Sequence, residues 1–137
     1  MVKKPIRRFM TPSPITVGRR QTLTTAHELM RSRRVRHLPV VESGRLVGVV
    51  SQDDLHFLES LRDVEPDEVL VEEAMSADPY AVSGDTPLAR VAATMARRKL
   101  GAAVIVDDGE VAGVFTAVDG LRALARLLAP AKKRVHR

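Results

Sequence analysis

At 137 residues, with 45% hydrophobic but only 3% aromatic side chains, the chain can bury one aliphatic core of Val, Leu, Ala, Ile and Met, or form two small units that share one. The absence of cysteine excludes disulfides, thiolate metal sites and a cysteine nucleophile, and a chain with no tryptophan and one tyrosine has little with which to stack bases. The net charge of +5 falls in blocks, which suit complementary faces or an anionic ligand better than a uniform nucleic-acid stripe: residues 1–36 carry ten Lys or Arg against Glu28 alone, residues 37–89 two against twelve acids, and residues 90–137 ten against four.

The first eight residues are basic, and Ile6 and Phe9 are the first anchors for a core. Met10-Thr11-Pro12-Ser13-Pro14 is turn-rich and leads into a short extended run, Ile15-Thr16-Val17. Leu23, Ala26, Leu29 and Met30 share one helical face, which predicts an amphipathic helix from Thr22 to Arg33. Leu38–Val41 and Leu46–Val50 read as strands joined by the turn Glu42-Ser43-Gly44-Arg45. A second helix is predicted from Gln52 to Leu61, with Leu55, Leu58 and Leu61 inward, so the stretch is a β-α-β-β-α unit. Residues 62–70, acidic and interrupted by Pro66, read as a linker.

A shift of 65 residues lays this unit on the rest of the chain without a gap: Met10 on Met75, Pro14 on Pro79, Val17 on Val82, Leu23 on Leu88, Met30 on Met95, Gly44 on Gly109, Gly48 on Gly113 and Asp54 on Asp119. The second copy starts its first helix with Thr86 as N-cap and Pro87 at the first helical position, and turns Leu88, Val91, Ala92 and Met95 inward. Strands Ala103–Val106 and Val111–Phe115 flank a hairpin signal, Asp107-Asp108-Gly109-Glu110. Leu121, Leu124 and Leu128 line the last helix, which Pro130 closes. The expected organisation is one repeat over residues 1–64, a second over 65–129 and a basic tail over 130–137. If each helical stripe covers its own strands, the apolar runs Leu38–Val41 and Ala103–Val106 must cover each other.

The chemistry concentrates where the second hairpin strand of each copy gives way to a helix, at Gly48-Val49-Val50-Ser51-Gln52-Asp53-Asp54 and Gly113-Val114-Phe115-Thr116-Ala117-Val118-Asp119. A hydroxyl at a helix start can accept from first-turn N–H groups or help hold an anion there. A carboxylate three residues on faces the same opening, where it can accept hydrogen bonds from a vicinal diol such as a ribose. Ser-x-x-Asp and Thr-x-x-Asp are equally capping-box patterns that start a helix and nothing more.

Together these features resemble a tandem pair of CBS domains, a Bateman module, over residues 5–128. The likeness rests on Met10-Thr11-Pro12 and Met75-Ser76 opening the copies, on Arg36-His37-Leu38-Pro39-Val40-Val41, and on the two Gly-to-Asp junctions. It implies an α/β fold of two βαββα repeats packed sheet to sheet with pseudo-twofold symmetry. It further implies two clefts that bind adenosyl compounds such as AMP, ADP, ATP, S-adenosylmethionine or NAD as effectors, in a sensor that requires no cofactor and catalyses nothing. In one cleft the resemblance assigns Asp54 to the ribose, Ser51, Arg36 and His37 to phosphates, and Ser76 and Ala81 to the base. The other would use Thr116 and Asp119 with Thr11 and Thr16, but Gly101-Ala102 stands there in place of Arg36-His37, which suits an uncharged or less charged ligand, weak binding or an empty cleft. A homodimer paired through helices and a client protein are also implied.

Two other functions compete. A pI near 10.2 and basic ends motivate nucleic-acid binding, opposed by the aromatic poverty, the acidic middle and the lack of a helix-turn-helix or RNA-binding signature. An enzyme would need a nucleophile–base arrangement, and neither Ser51 nor the Asp54 and Asp119 carboxylates have one in the sequence. His27, His56 and His136 lack partners at ligand spacing, so no metal site is expected. No apolar run reaches the length of a membrane span and the N-terminus lacks a signal-peptide core, which leads to the expectation of a cytoplasmic protein away from membranes.

Overall fold

A computed structural model of the chain describes residues 3–61 and 63–130; of the basic tail expected over 130–137, residues 131–137 lie outside the described residues. A 3-10 turn, Ile6–Arg8, and the two-residue strand β1 (Thr11–Pro12) precede the first repeat. That repeat runs β2 (Val17–Gly18), α1 (Leu23–Arg33), β3 (His37–Glu42), β4 (Arg45–Ser51), α2 (Gln52–Leu61). A second 3-10 turn, Val71–Glu73, leads to β5 (Ala81–Val82), α3 (Leu88–Arg98), β6 (Ala102–Asp107), β7 (Glu110–Thr116) and α4 (Ala117–Leu128). In each repeat a parallel pair, β2 on β3 or β5 on β6, is bridged by a helix, and an antiparallel hairpin follows. The hairpin turns have positive φ at both central residues, Ser43-Gly44 and Asp108-Gly109, as a two-residue loop between twisted strands requires.

The repeats exchange their opening segments. β1 pairs antiparallel with β7, joining Thr11 to Val114 and Pro12 to Gly113, so the second sheet has the order β1-β7-β6-β5. Sixty-five residues on, Ser76 makes the same bridge to Val49 of β4. The 3-10 turns follow suit. Ile6, fully buried, sits in the second repeat's core with Leu88, Val91, Ile105 and Phe115, while Val71, also fully buried, completes the first with Leu23, Leu38, Val50 and Leu55. At the rims Arg7 pairs with Asp85 and with Asp107, and Arg19 pairs with Glu42 at 3.0 Å and with Glu72 at 3.3 Å.

This exchange explains why α3 starts one residue later than expected. Thr86 is not the N-cap; Pro87 takes that place in extended backbone, and no side chain caps the helix. The exposed donor is satisfied from outside, because the Leu88 N–H donates to the Lys4 carbonyl at 2.9 Å and Pro5 bridges to Pro87. In α1 the Leu23 N–H donates to the Val69 carbonyl at 2.9 Å, while Thr22 accepts from the Thr25 N–H.

Four apolar positions expected to face inward or to line a helix are turned to solvent. Leu61 is 60% exposed, and Leu121, Leu124 and Leu128 are exposed by half or more, because α4 lays its small residues Gly120 and Ala123 on the sheet. Ala92 is exposed as well, leaving Leu88, Val91 and Met95 as the buried face of α3. Among the described residues no helix is long and apolar enough to cross a membrane.

Since each core is completed from the far side of the molecule, the two repeats should unfold as one unit. Ile6→Ala, a truncation in the second core, is expected to cost about 2–5 kcal/mol and to move the single urea transition of the whole chain. Two separable transitions, only one of them shifted by Ile6→Ala, would reject the coupling.

Candidate functional site

Both junctions are built as reciprocal caps. The Ser51 N–H donates to Asp54 Oδ2 at 2.8 Å, and the Asp54 N–H donates back to Ser51 Oγ at 3.0 Å. In the second copy the Thr116 N–H donates to Asp119 Oδ2 at 2.9 Å and the Asp119 N–H to Thr116 Oγ1 at 3.3 Å. The capping box therefore exists in both copies, and what distinguishes them is the second oxygen of each carboxylate. Asp119 Oδ1 accepts from the Thr11 hydroxyl at 3.0 Å and lies 3.6 Å from Arg122, and the residue is 6% exposed. Asp54 Oδ1 has no donor among the described residues, and Asp54 is half-buried rather than buried. Of the two carboxylates, only that of Asp54 presents an oxygen uncommitted among the described residues.

His37 stands opposite Ser51 in the β3–β4 ladder. Its ring reaches across to the second repeat, where a Cβ at Gly101 would lie 2.7 Å from Nε2. Glycine at 101 thus makes room for the imidazole. The backbone roles at these equivalent positions are shared: the Arg36 carbonyl accepts from the Gln52 N–H at 2.9 Å, and the Gly101 carbonyl from the Ala117 N–H at 3.2 Å. Burial holds the His37 imidazole below its ordinary pKa, with Asp54 and Asp53 pulling it up and Arg36 pushing it further down.

The remaining expected site residues divide. Thr11 is joined to Asp119, whereas Ser76 meets the first junction through backbone alone, exchanging N–H and C=O bonds with Val49 at 2.9 and 3.0 Å. Ala81 is exposed on β5, opposite Val104, and Thr16 is half-buried just before β2; neither is brought to a carboxylate by a side-chain hydrogen bond. The exposed Arg36 side chain opens on a groove of about 290 Å³ lined also by Met30, Arg31, Arg34, Val35 and Gln52.

Two groupings escaped sequence reasoning. The junction glycines serve the crossing segments: a Cβ at Gly48 would lie 2.6 Å from the Met75 sulfur and from the Ser76 carbonyl oxygen, and one at Gly113 would lie 2.9 Å from the Thr11 carbonyl oxygen, against Met10. Signal for this was present, since Met10 and Met75 recur at the same spacing as the glycines. The second grouping joins His27 and His56 to a carboxylate without forming a metal site. His27 Nε2 is 2.7 Å from Glu59 Oε2, and its ring stacks on His56 with centroids 5.7 Å apart, clasping α1 to α2. Among the described residues no group of three or more His, Cys, Asp or Glu is arranged to hold a metal ion.

A family model described as the CBS domain matches residues 6–58 and, again, residues 71–126. Inosine-5'-monophosphate dehydrogenase of Korarchaeum cryptofilum (strain OPF8) is 31% identical over 112 residues, and the chain spans 81% of its own length and 22% of that enzyme's. Among solved structures, a conserved protein of Pyrococcus horikoshii matches with a TM-score of 0.82 at 28% identity, over 96% of this chain and 99% of that one. CBSX2, solved in complex with AMP, matches with a TM-score of 0.77 at 26% identity, over 93% of this chain and all (100%) of that one; the CBS-pair protein of that name is from Arabidopsis thaliana.

The depressed pKa of His37 links folding to pH. Folding expels a proton from this imidazole, so its neutral form is stable at no cost above its unfolded value of about 6.5, and stability is lost as pH falls below it. The melting temperature of the parent should therefore fall more steeply from neutral toward mildly acid pH than that of His37→Gln. Parallel profiles for the two proteins would remove His37 from this role.

Proposed function

The chain belongs to the CBS domain family, and on that footing we propose that it is a regulatory module that binds an adenine nucleotide or another adenosyl compound between its two repeats. The observation that carries the reading is the uncommitted oxygen of Asp54 beside the Ser51 cap, with His37 opposite and Arg36 adjacent. A carboxylate with one oxygen held by backbone and the other open is oriented to accept from a ribose diol. The α2 N-terminus, Ser51, Arg36 and His37 then offer positive potential and donors to phosphate oxygens, while Ser76 and Ala81 from the other repeat border the base. CBSX2, whose structure contains AMP, supports this ligand class. Both junction hydroxyls serve as helix caps, which suits holding a ligand and not attacking one.

The second cleft, with Thr116, Asp119, Thr11 and Thr16, is the weaker site in this reading. A ribose there must displace the Thr11 hydroxyl from Asp119, and Gly101-Ala102 supplies no cation. Signalling to a client protein would follow from ligand-dependent contacts between the repeats.

The module also pairs with a second copy. The outward faces of α2 and α4, which occupy equivalent places in the two repeats, carry Phe57, Leu61, Val118, Leu121, Leu124 and Leu128, each more than half exposed. An apolar face repeated about a pseudo-twofold axis is suited to an isologous dimer.

Asp54→Ala removes charge-assisted hydrogen bonds and should weaken the tightest-binding nucleotide about 10- to 100-fold in calorimetric titration, whereas Asp119→Ala should leave that affinity nearly as it was. A dissociation constant unchanged by Asp54→Ala would reduce the junction to its capping role. Sedimentation should give twice the chain mass for the parent and a shift toward the single chain for Leu121→Lys combined with Leu124→Lys; a parent that stays monomeric at high micromolar concentration would dismiss the dimer.

A further inference from the structure

We propose that the groove beside the first cleft is an anion site that extends it outward and selects ligands bearing a chain of phosphates over those bearing one. Its wall holds three guanidinium-bearing residues, Arg31, Arg34 and Arg36, with Gln52 and the apolar floor of Met30 and Val35, and no carboxylate. None of the three arginines forms an ion pair among the described residues, although Arg7 and Arg19 elsewhere on the surface each take two acidic partners. Guanidinium groups gathered around one concavity repel one another and present paired N–H donors matched to phosphate oxygens.

The second repeat is an internal control. The positions equivalent to Met30 and Val35 are Met95 and Leu100, so the apolar floor is kept, while Arg31, Arg34, Arg36 and Gln52 become Ala96, Lys99, Gly101 and Ala117. Basic residues in the last turn of a helix complement its dipole, and both helices have them, Arg31 and Arg33 in α1 and Arg97 and Arg98 in α3. Two cations at each helix end meet that requirement, so it accounts for Arg31 as it does for Arg97, and it leaves Arg36 unexplained, because Gly101 stands at the equivalent place. Arg34 adds to the case. It lines the groove from the C-cap of α1 with φ of 56°, a left-handed cap that its equivalent Lys99 shares at the end of α3, so both repeats keep a cation there and only the first adds Arg31 and Arg36 beside it.

Arg36 and Gln52 tie the groove to the cleft, since Arg36 precedes His37, Gln52 follows Ser51, and the two are joined by the Gln52 N–H to Arg36 carbonyl bond. A first phosphate at Ser51 and His37 would direct further phosphates toward Arg36, Arg34 and Arg31. The nucleotide part of this inference rests on the adenosyl reading above; the anion part does not.

Calorimetric titration of AMP, ADP, ATP and inorganic tripolyphosphate in magnesium-free buffer separates the two. The parent should bind ATP at least about tenfold more tightly than AMP, and Arg31→Gln/Arg34→Gln should reduce that ratio to near unity. The charge-matched variant Arg97→Gln/Arg98→Gln, at the other helix end, should keep the parent's ratio. AMP binding without a preference for ATP, or a preference that survives in Arg31→Gln/Arg34→Gln or disappears in the control variant, overturns the groove and leaves the adenosyl reading standing. Tripolyphosphate binding that is lost only in Arg31→Gln/Arg34→Gln, with no nucleotide bound in preference to it, supports the groove and overturns an adenine nucleotide as the ligand of the cleft. No binding of any of the four rejects the groove and, with it, an adenine nucleotide as the ligand of the cleft.

Discussion

A methyl group at Gly48 would collide with the Met75 sulfur and the Ser76 carbonyl, and one at Gly113 with the matching methionine and carbonyl of the other segment. The rest of the structure depends on that close approach. Because the two junction strands have no side chain at these points, the opening segments can lie across them, form backbone bridges, and carry Ile6 and Val71 into the opposite cores. The same crossing places Thr11 beside Asp119 and Ser76 beside the strand that ends at Ser51. The two cores and the placement of Thr11 and Ser76 at the opposite junctions are thus results of one contact, with each core residue a few positions from its crossing point.

Much of this was legible in the residues. Alternation and turn chemistry placed β3, β4, β6 and β7 to within a residue or two, and the gapless shift of 65 made the duplication plain. Periodicity, however, reports that a face is apolar and not what covers it. Leu121, Leu124 and Leu128 make a regular stripe, yet it is Gly120, over the Phe115 ring, and the buried Ala123 that α4 turns to the core. The crossing of the opening segments was hidden for a similar reason: two-residue strands carry no periodic signal, and Ile6 looks like any isolated anchor near a chain end. The His27–Glu59 contact joins residues 32 positions apart on two helices, a separation at which spacing says nothing.

At the site, the residue types were readable and their state was not. The Ser-x-x-Asp and Thr-x-x-Asp patterns predict caps and are compatible with a ligand, and the structure makes both caps. Which carboxylate keeps an open oxygen depended on Thr11, more than a hundred residues away in sequence from Asp119. The replacement of Arg36 by Gly101 looked like a lost phosphate contact; in the fold it is also the space into which His37 fits. One difference between the copies therefore drops a cation from the second repeat and seats the imidazole of the first.

The two 3-10 turns that cross the molecule carry opposite charges. Arg7 sits against Asp85 and Asp107, whereas its equivalent, Glu72, sits against Arg19, whose own equivalent is Gly84. Had the copies kept identical rims, either turn would fit either seat, and a turn from a neighbouring molecule would fit as well. Glu42 and Asp107 keep the same sign at equivalent places, but Arg20 stands where the second rim has Asp85, so Arg7 brought to the first rim would face Arg19 and Arg20 beside Glu42, and Glu72 brought to the second would face Asp85 and Asp107. Within one chain each turn is therefore matched by charge to its own rim.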